Sequence, residues 1–219
     1  MITQKFDAVI FDMDGLLVDT ERVWYEAEEA FLESFGHVYT AEAREAIVGL
    51  RMDEFLAKLK VIYSLEPTVE TLSAMLMDRV MTLLETEVRA QPGAHEIIRY
   101  VRDAGLPYAI ASSSPMGVIN ATLASQGWGD FFKIRCSADD DLNGKPAPDV
   151  YLRAAETLGV DPQKCLALED SPNGARAAVA AGMTCYAVPD LTHTRRDAFT
   201  DITPNVFDSL HDVLEVLKT

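Results

Sequence analysis

The stretch VIFDMDGLLVDTE, from Val9 to Glu21, closes an apolar run on two aspartates one residue apart, Asp12 and Asp14. Side chains alternate across a strand, so Asp12 and Asp14 face together while Met13 turns away. The carboxyl end of a parallel strand is where open α/β sheets hold their ligands. Gly15 follows and permits the tight turn that ends such a strand. Two readings stand at this point. Either D-x-D-G is a turn without chemical consequence, or two carboxylates are brought to one site against their own repulsion.

Further apolar runs repeat the pattern. FDAVIF (Phe6 to Phe11), PYAIAS (Pro107 to Ser112), CLALE (Cys165 to Glu169) and CYAVP (Cys185 to Pro189) are too uniformly apolar for half-exposed strands, and FKIRCS (Phe132 to Ser137) is a fifth candidate. Helical patterns separate and follow them: His95 to Ala104, Met116 to Ser125, Val150 to Leu158, Asn173 to Ala181 and Ser209 to Lys218. Strand and helix in alternation predict an α/β fold, a parallel sheet covered by helices.

One region breaks the rhythm. Between Thr20 and Arg89 only helical periodicity is found, with Val23, Ala27, Ala30, Phe31 and Ser34 on one face and Val69, Leu72, Leu76, Val80 and Leu83 on another. This predicts a helical insert over 20–89 in a core made of 1–19 and 90–219, closed by the helix-breaking Gln91-Pro92-Gly93. Inserts that leave and re-enter a core at adjacent points can hinge and act as lids.

With 35 acidic against 19 basic side chains and a formal charge of −16, the chain would repel a polyanion. Arg195-Arg196 is the only adjacent basic pair, so neither nucleic acid nor an anionic membrane is an expected partner. No leader-like segment opens the sequence and no run of about 18 apolar residues occurs, which predicts a cytoplasmic protein. Cys136, Cys165 and Cys185 are odd in number and lie in or beside apolar runs, and are expected to be buried free thiols. The four histidines show no ligand spacing.

Three more segments carry candidate chemistry. Ser112-Ser113-Ser114-Pro115 ends a strand and opens a helix, where backbone N–H groups favour an anion. Ser114 reads as a helix cap and Ser112, at the strand's end, as the better phosphate contact. Glu169-Asp170-Ser171-Pro172 repeats the construction with an acidic pair. That pair either complements the helix dipole or, with Asp12 and the Asp14 carbonyl, offers the oxygen ligands of a Mg²⁺ ion; three acidic residues at two strand ends favour the metal. Asn143-Gly144-Lys145-Pro146-Ala147-Pro148 holds a lysine beside two prolines, either simply solvated or neutralising phosphate and carboxylate charge.

Taken together, FDMDG, SSS, GKPAPD and LEDS, in that order from Phe6 to about Val188, resemble the haloacid dehalogenase superfamily, in its phosphatase branch with a helical cap after the first strand. GLLVDTE, ASSSP and LALEDSPNGARAAVAAGM (Leu166 to Met183) are similar to the sugar phosphatases and β-phosphoglucomutases, with hexitol and 2-deoxyglucose phosphatases nearest. The resemblance implies a Rossmann-like core and an Mg²⁺-dependent phosphatase acting on a small phosphomonoester, a sugar or sugar-alcohol phosphate; a monomer or weak dimer is expected. It assigns Asp12 as the nucleophile that forms an aspartyl-phosphate and Asp14 as acid and base. Ser112, Ser113 and Lys145 would hold the phosphoryl group, and Asp12, Asp14, Glu169 and Asp170 the metal. Glu21, Trp24, Leu50 and Arg51 of the insert are the candidates for choosing the substrate.

Trp24 stands where the mutases of the group carry a histidine, which disfavours the alternative of a phosphomutase. Asp14 disfavours dehalogenase chemistry, because the dehalogenases of the superfamily lack this acid. A third alternative, a phosphate-binding module without catalysis, conflicts with the presence of every motif residue.

Overall fold

A computed structural model describes residues 6–47, 50, 52–189 and 194–219. The chain divides into two compact units, one of Met1–Asp19 with Arg89–Thr219 and one of Thr20–Val88.

The first unit is built on a five-stranded parallel sheet in the order β5-β4-β1-β6-β7. Its strands are β1 (Ala8–Phe11), β4 (Tyr108–Ser112), β5 (Arg135–Ser137), β6 (Cys165–Glu169) and β7 (Thr184–Ala187). Central β1 and β6 are buried at every residue, which is why their sequences are uniformly apolar rather than alternating. β1 pairs on one side with β4 (Ile10 with Ala109) and on the other with β6 (Ile10 with Ala167). The chain first builds outward through β4 and β5, then returns to β1 and builds the other way through β6 and β7. The reversal leaves a crevice beyond the carboxyl end of β1, and the residues following β1, β4 and β6 converge there.

Helices α5 (Ala94–Asp103), α6 (Met116–Ser125), α7 (Asp149–Leu158), α8 (Pro172–Ala180) and α9 (Leu210–Leu217) accompany the sheet. Their starts follow local chemistry. Ser171 caps α8 by accepting the Gly174 N–H, with Pro172 at the first turn, and Ser209 caps α9 by accepting the Asp212 N–H. Small side chains on α7 and α8 (Ala154, Ala155, Ala175, Ala177, Ala178) let these helices share one core with Ala8, Ile10 and Ala167 of the sheet.

β1 and β5 begin two and three residues after their apolar runs do. Phe6 precedes β1 and sets its ring edge-on to Tyr186, at 5.9 Å between centroids. Phe132 precedes β5 and is buried between Phe11 and Tyr108, at 5.6 Å from each. In both places aromatic packing, rather than sheet pairing, accounts for the apolar residue. The three cysteines are free and buried. No helix among the described residues is long and apolar enough to cross a membrane.

The second unit contains α1 (Glu21–Glu33), α2 (Ala41–Ile47), α3 (Met52–Tyr63) and α4 (Val69–Glu87). Its α1 and α3 both pack on α4. Val23, Ala27 and Phe31 of α1 are buried. On α4 the buried stripe is Leu72, Leu76, Val80 and Leu84, so the i, i+4 spacing continues to Leu84 rather than turning to Leu83. The two chain crossings meet in a pair not foreseen from periodicity: β2 (Val18–Asp19) runs antiparallel to β3 (Arg89–Ala90), matching Asp19 with Arg89. At two residues each, these strands are too short to leave an alternating pattern.

Candidate active site

Asp12 follows β1, and its backbone N–H extends the ladder to Leu168 O at 3.0 Å. The chain then folds back sharply, with Gly15 N–H donating to Val18 O at 2.8 Å. Gly15 has φ +81°, and a side-chain carbon there would overlap the Asp170 carboxylate. Glycine is needed at this position both for the turn and for the close approach of β6's end.

Lys145 joins the carboxylates. Its Nζ lies 2.6 Å from Asp12 Oδ1, 2.6 Å from Glu169 Oε1 and 3.0 Å from Ala111 O, so each ammonium hydrogen has an acceptor. The lysine side chain is only 5 % exposed. The same nitrogen sits 5.0 Å from the ring centroid of Tyr151. Burial opposes the lysine's charge, but Asp12 and Glu169 outweigh it and raise its proton affinity above the ordinary lysine value.

Glu169 is fully buried at the end of β6 and accepts five hydrogen bonds. Lys145 and the Tyr151 hydroxyl (2.8 Å) serve Oε1; the backbone N–H groups of Asp170 and Ser171 (each 3.1 Å) and the Ser171 hydroxyl (3.2 Å) serve Oε2. A side-chain carbon at Gly174, on the first turn of α8, would overlap this carboxylate.

Asp12, Glu169 and Asp170 each bring a carboxylate oxygen within 4.8 Å of the others. Burial, then the neighbouring carboxylates, push the Asp12 and Asp170 carboxyls well above the ordinary range, with Lys145 acting the other way. One ammonium against three clustered carboxylates leaves negative charge uncompensated, and the donor set is oxygen throughout. Both features fit a hard divalent cation such as Mg²⁺.

Asp14 meets the end of β4. Its Oδ2 accepts from the hydroxyls of both Ser112 and Ser114, each at 2.9 Å. Ser112 is fully buried and Ser113 is exposed. Ser114 does not cap α6: the residue in the capping position is Pro115, and no side-chain cap bond forms.

Of the sequence candidates, the structure brings together Asp12, Asp14, Ser112, Lys145, Glu169 and Asp170. Trp24 lies half-buried in α1, Glu21 opens that helix, and Leu50 lies half-buried between α2 and α3, all in the second unit. Arg51 lies outside the described residues. Sequence reasoning placed Ser171 as a helix cap, which it is, but missed its hydrogen bonds to Glu169, and it missed Tyr151, Gly174 and the role of Ser114. Position gives a signal for two of them. Tyr151 falls in the first turn of α7, the turn that follows the lysine loop, and Ser171 directly follows the acidic pair.

The pattern of the haloacid dehalogenase-like hydrolases matches residues 9–188. Hexitol phosphatase B of Escherichia coli is 35% identical over 187 residues, covering 83% of this chain and 83% of that protein. The phosphorylated carbohydrates phosphatase of Thermotoga maritima is 32% identical over 177 residues, covering 81% and 82%. The crystal structure of CbbY from Rhodobacter sphaeroides in complex with phosphate superposes with a TM-score of 0.85 at 26% identity, over 98% of this chain and 100% of that one. The matched span holds all three strand ends of the crevice and the lysine loop, and on these grounds the chain belongs to the haloacid dehalogenase-like hydrolases, among their phosphatases.

Proposed function

We propose that the chain hydrolyses a small phosphomonoester, a sugar or sugar-alcohol phosphate, through an aspartyl-phosphate on Asp12. The observation that carries this reading is the buried Lys145 ammonium set 2.6 Å from Asp12 at the crevice of the sheet. A carboxylate approaching a phosphate dianion is repelled unless positive charge stands beside it, and Lys145 supplies that charge at the attacking group. The ammonium hydrogens are all engaged, so a phosphoryl oxygen takes over one of them as it arrives.

In the first step an Asp12 oxygen forms a bond to phosphorus while the bond to the alcohol oxygen breaks. Asp14 gives its proton to the departing oxygen. In the second step Asp14 takes a proton from water, whose oxygen attacks phosphorus and releases Asp12 with inorganic phosphate. Ser112 and Ser113 serve the phosphoryl oxygens alongside Lys145. Asp12, Asp170, Glu169 and the Asp14 carbonyl would hold Mg²⁺, which when bound neutralises phosphoryl charge.

The substrate class rests on the relatives named for hexitol and phosphorylated carbohydrates. Glu21, Trp24, Leu50 and Arg51 of the helical unit are proposed to read the alcohol part. A panel of phosphomonoesters, assayed for phosphate release with and without Mg²⁺ beside Asp12→Asn, tests the reading. Wild-type turnover of sugar phosphates that the variant lacks supports it. Equal phosphate release by wild type and Asp12→Asn overturns it.

A further inference from the structure

We infer that Ser114 is a positioning residue for Asp14, holding the acid in place while Ser112 serves the phosphoryl group; this rests on the acid and base role proposed for Asp14 and extends it. Serine before proline at a helix start ordinarily caps the helix, yet the Ser114 hydroxyl makes no cap bond and donates instead to Asp14 Oδ2 at 2.9 Å. The side chain has little freedom to do otherwise. Ser114 is 7% exposed, its N–H donates to Ser112 Oγ at 2.9 Å, and its carbonyl accepts from the fully buried Ser137 hydroxyl at 2.7 Å. The ends of β1, β4 and β5 are thereby tied into one serine network that converges on the Asp14 carboxyl group.

The division of labour follows from counting hydrogens. Ser112 Oγ also donates to Asp14 Oδ2, at 2.9 Å, and a hydroxyl has a single hydrogen to give. When Ser112 turns that hydrogen to a phosphoryl oxygen, it releases Asp14. Ser114, anchored through its backbone on both sides, then supplies the hydroxyl that keeps Oδ2 in register with the leaving oxygen. A misplaced general acid costs rate in proportion to how much the leaving group needs a proton.

The test uses two substrates, p-nitrophenyl phosphate, whose phenolate leaves without a proton, and an alkyl sugar phosphate, whose alkoxide needs one. The readout is the ratio of their kcat/KM values, which covers steps up to departure of the alcohol and is independent of the fraction of enzyme that is correctly folded. Ser114→Ala is expected to lower the alkyl-to-aryl ratio about tenfold, in the same direction as Asp14→Asn, while Ser114→Thr, which keeps the hydroxyl, restores it. An unchanged ratio in Ser114→Ala, beside a lowered one in Asp14→Asn, overturns the positioning role alone. An unchanged ratio in Asp14→Asn overturns the acid assignment and the inference with it.

Discussion

Lys145 Nζ and Asp12 Oδ1 stand 2.6 Å apart with both side chains nearly sealed from solvent, at 5% and 8% exposure. Such a pair is strongly destabilising to break, because the surviving charge stays buried without its partner. Lys145→Met would leave Asp12 and Glu169 in that state. The expected outcome is a loss of kcat/KM on the order of 10³, together with a loss of about 3–5 kcal/mol in unfolding free energy at neutral pH. Phosphate-release kinetics and urea unfolding check the two effects separately. Lys145→Arg should not rescue activity, since a planar guanidinium cannot reproduce contacts to Asp12, Glu169 and Ala111 O from one nitrogen.

The raised Asp12 and Asp170 carboxyls give the stability of the protein a pH dependence with a definite sign. A carboxyl with a raised folded value binds its proton more tightly folded than unfolded, so its contribution is complete below the ordinary carboxylate value of 3.8 and is lost as pH rises through the raised folded values. Lys145, also raised, keeps its proton across this window. With EDTA present, the melting temperature is therefore expected to fall between mildly acidic and neutral pH. Mg²⁺ should raise it at neutral pH and have little effect on the acidic side, because protons and cation compete for the same oxygens. Thermal melts on a pH grid with EDTA or Mg²⁺ measure this. An Mg²⁺ effect of equal size at both ends would contradict it.

Gly174→Ala tests the packing behind Glu169. The added methyl would overlap the carboxylate that accepts from Lys145 and Tyr151, and a fully buried side chain has nowhere to retreat. Overpacking of this kind costs about 1–3 kcal/mol. Because Glu169 helps to fix Lys145, kcat/KM is also expected to fall, by about tenfold. The contrast is Gly117→Ala on α6, where an added methyl meets nothing within 4 Å and helix propensity should stabilise by about 0.5–1 kcal/mol. Chemical denaturation of the two variants side by side separates the close approach from a generic loss of glycine.

The sequence was most legible where one residue carries one constraint. Strand ends and charge marked Asp12, Lys145 and Asp170 as candidates, each with a second reading open until the motifs were taken together, and uniformly apolar runs marked four of the five parallel strands, with Phe132 to Ser137 a fifth candidate. Ser114 was hidden because a serine before proline has a sufficient local explanation, the helix cap, and only the fold shows Asp14 within reach of its hydroxyl. Tyr151 was hidden because its helical position is apolar in character and its hydroxyl acts on a carboxylate 18 residues away. The short β2 and β3 pairing was invisible for a different reason: two residues carry no period, and their register comes from the place where the chain leaves and re-enters the core.

Thr122 marks a place where the core is not optimal. Its Oγ1 is buried on α6 without a hydrogen-bond partner among the described residues. A buried unsatisfied hydroxyl costs about 1–3 kcal/mol, and valine has nearly the same shape without it. Thr122→Val is expected to stabilise the protein by about 1 kcal/mol while leaving kcat/KM unchanged. Urea unfolding checks it, and a destabilised variant would mean that the hydroxyl has a partner in solution.

Tyr151 supports Lys145 in two ways that substitution can separate. The hydroxyl donates to Glu169 Oε1 at 2.8 Å, and the ring presents its face to Lys145 Nζ at 5.0 Å. Tyr151→Phe keeps the ring and removes a buried hydrogen bond to a charged acceptor, for an expected loss of about 1.5–3 kcal/mol. Tyr151→Leu removes the ring as well and should lose about 2 kcal/mol more from the desolvated cation–π contact, in addition to the cost of the cavity it leaves. A double-mutant cycle with Lys145→Met distinguishes the two contributions. In the Lys145→Met background the cation–π contact is already absent, so the step from Phe to Leu should cost only the packing part. If that step costs the same in both backgrounds, the ring does not hold the ammonium and Tyr151 acts through Glu169 alone.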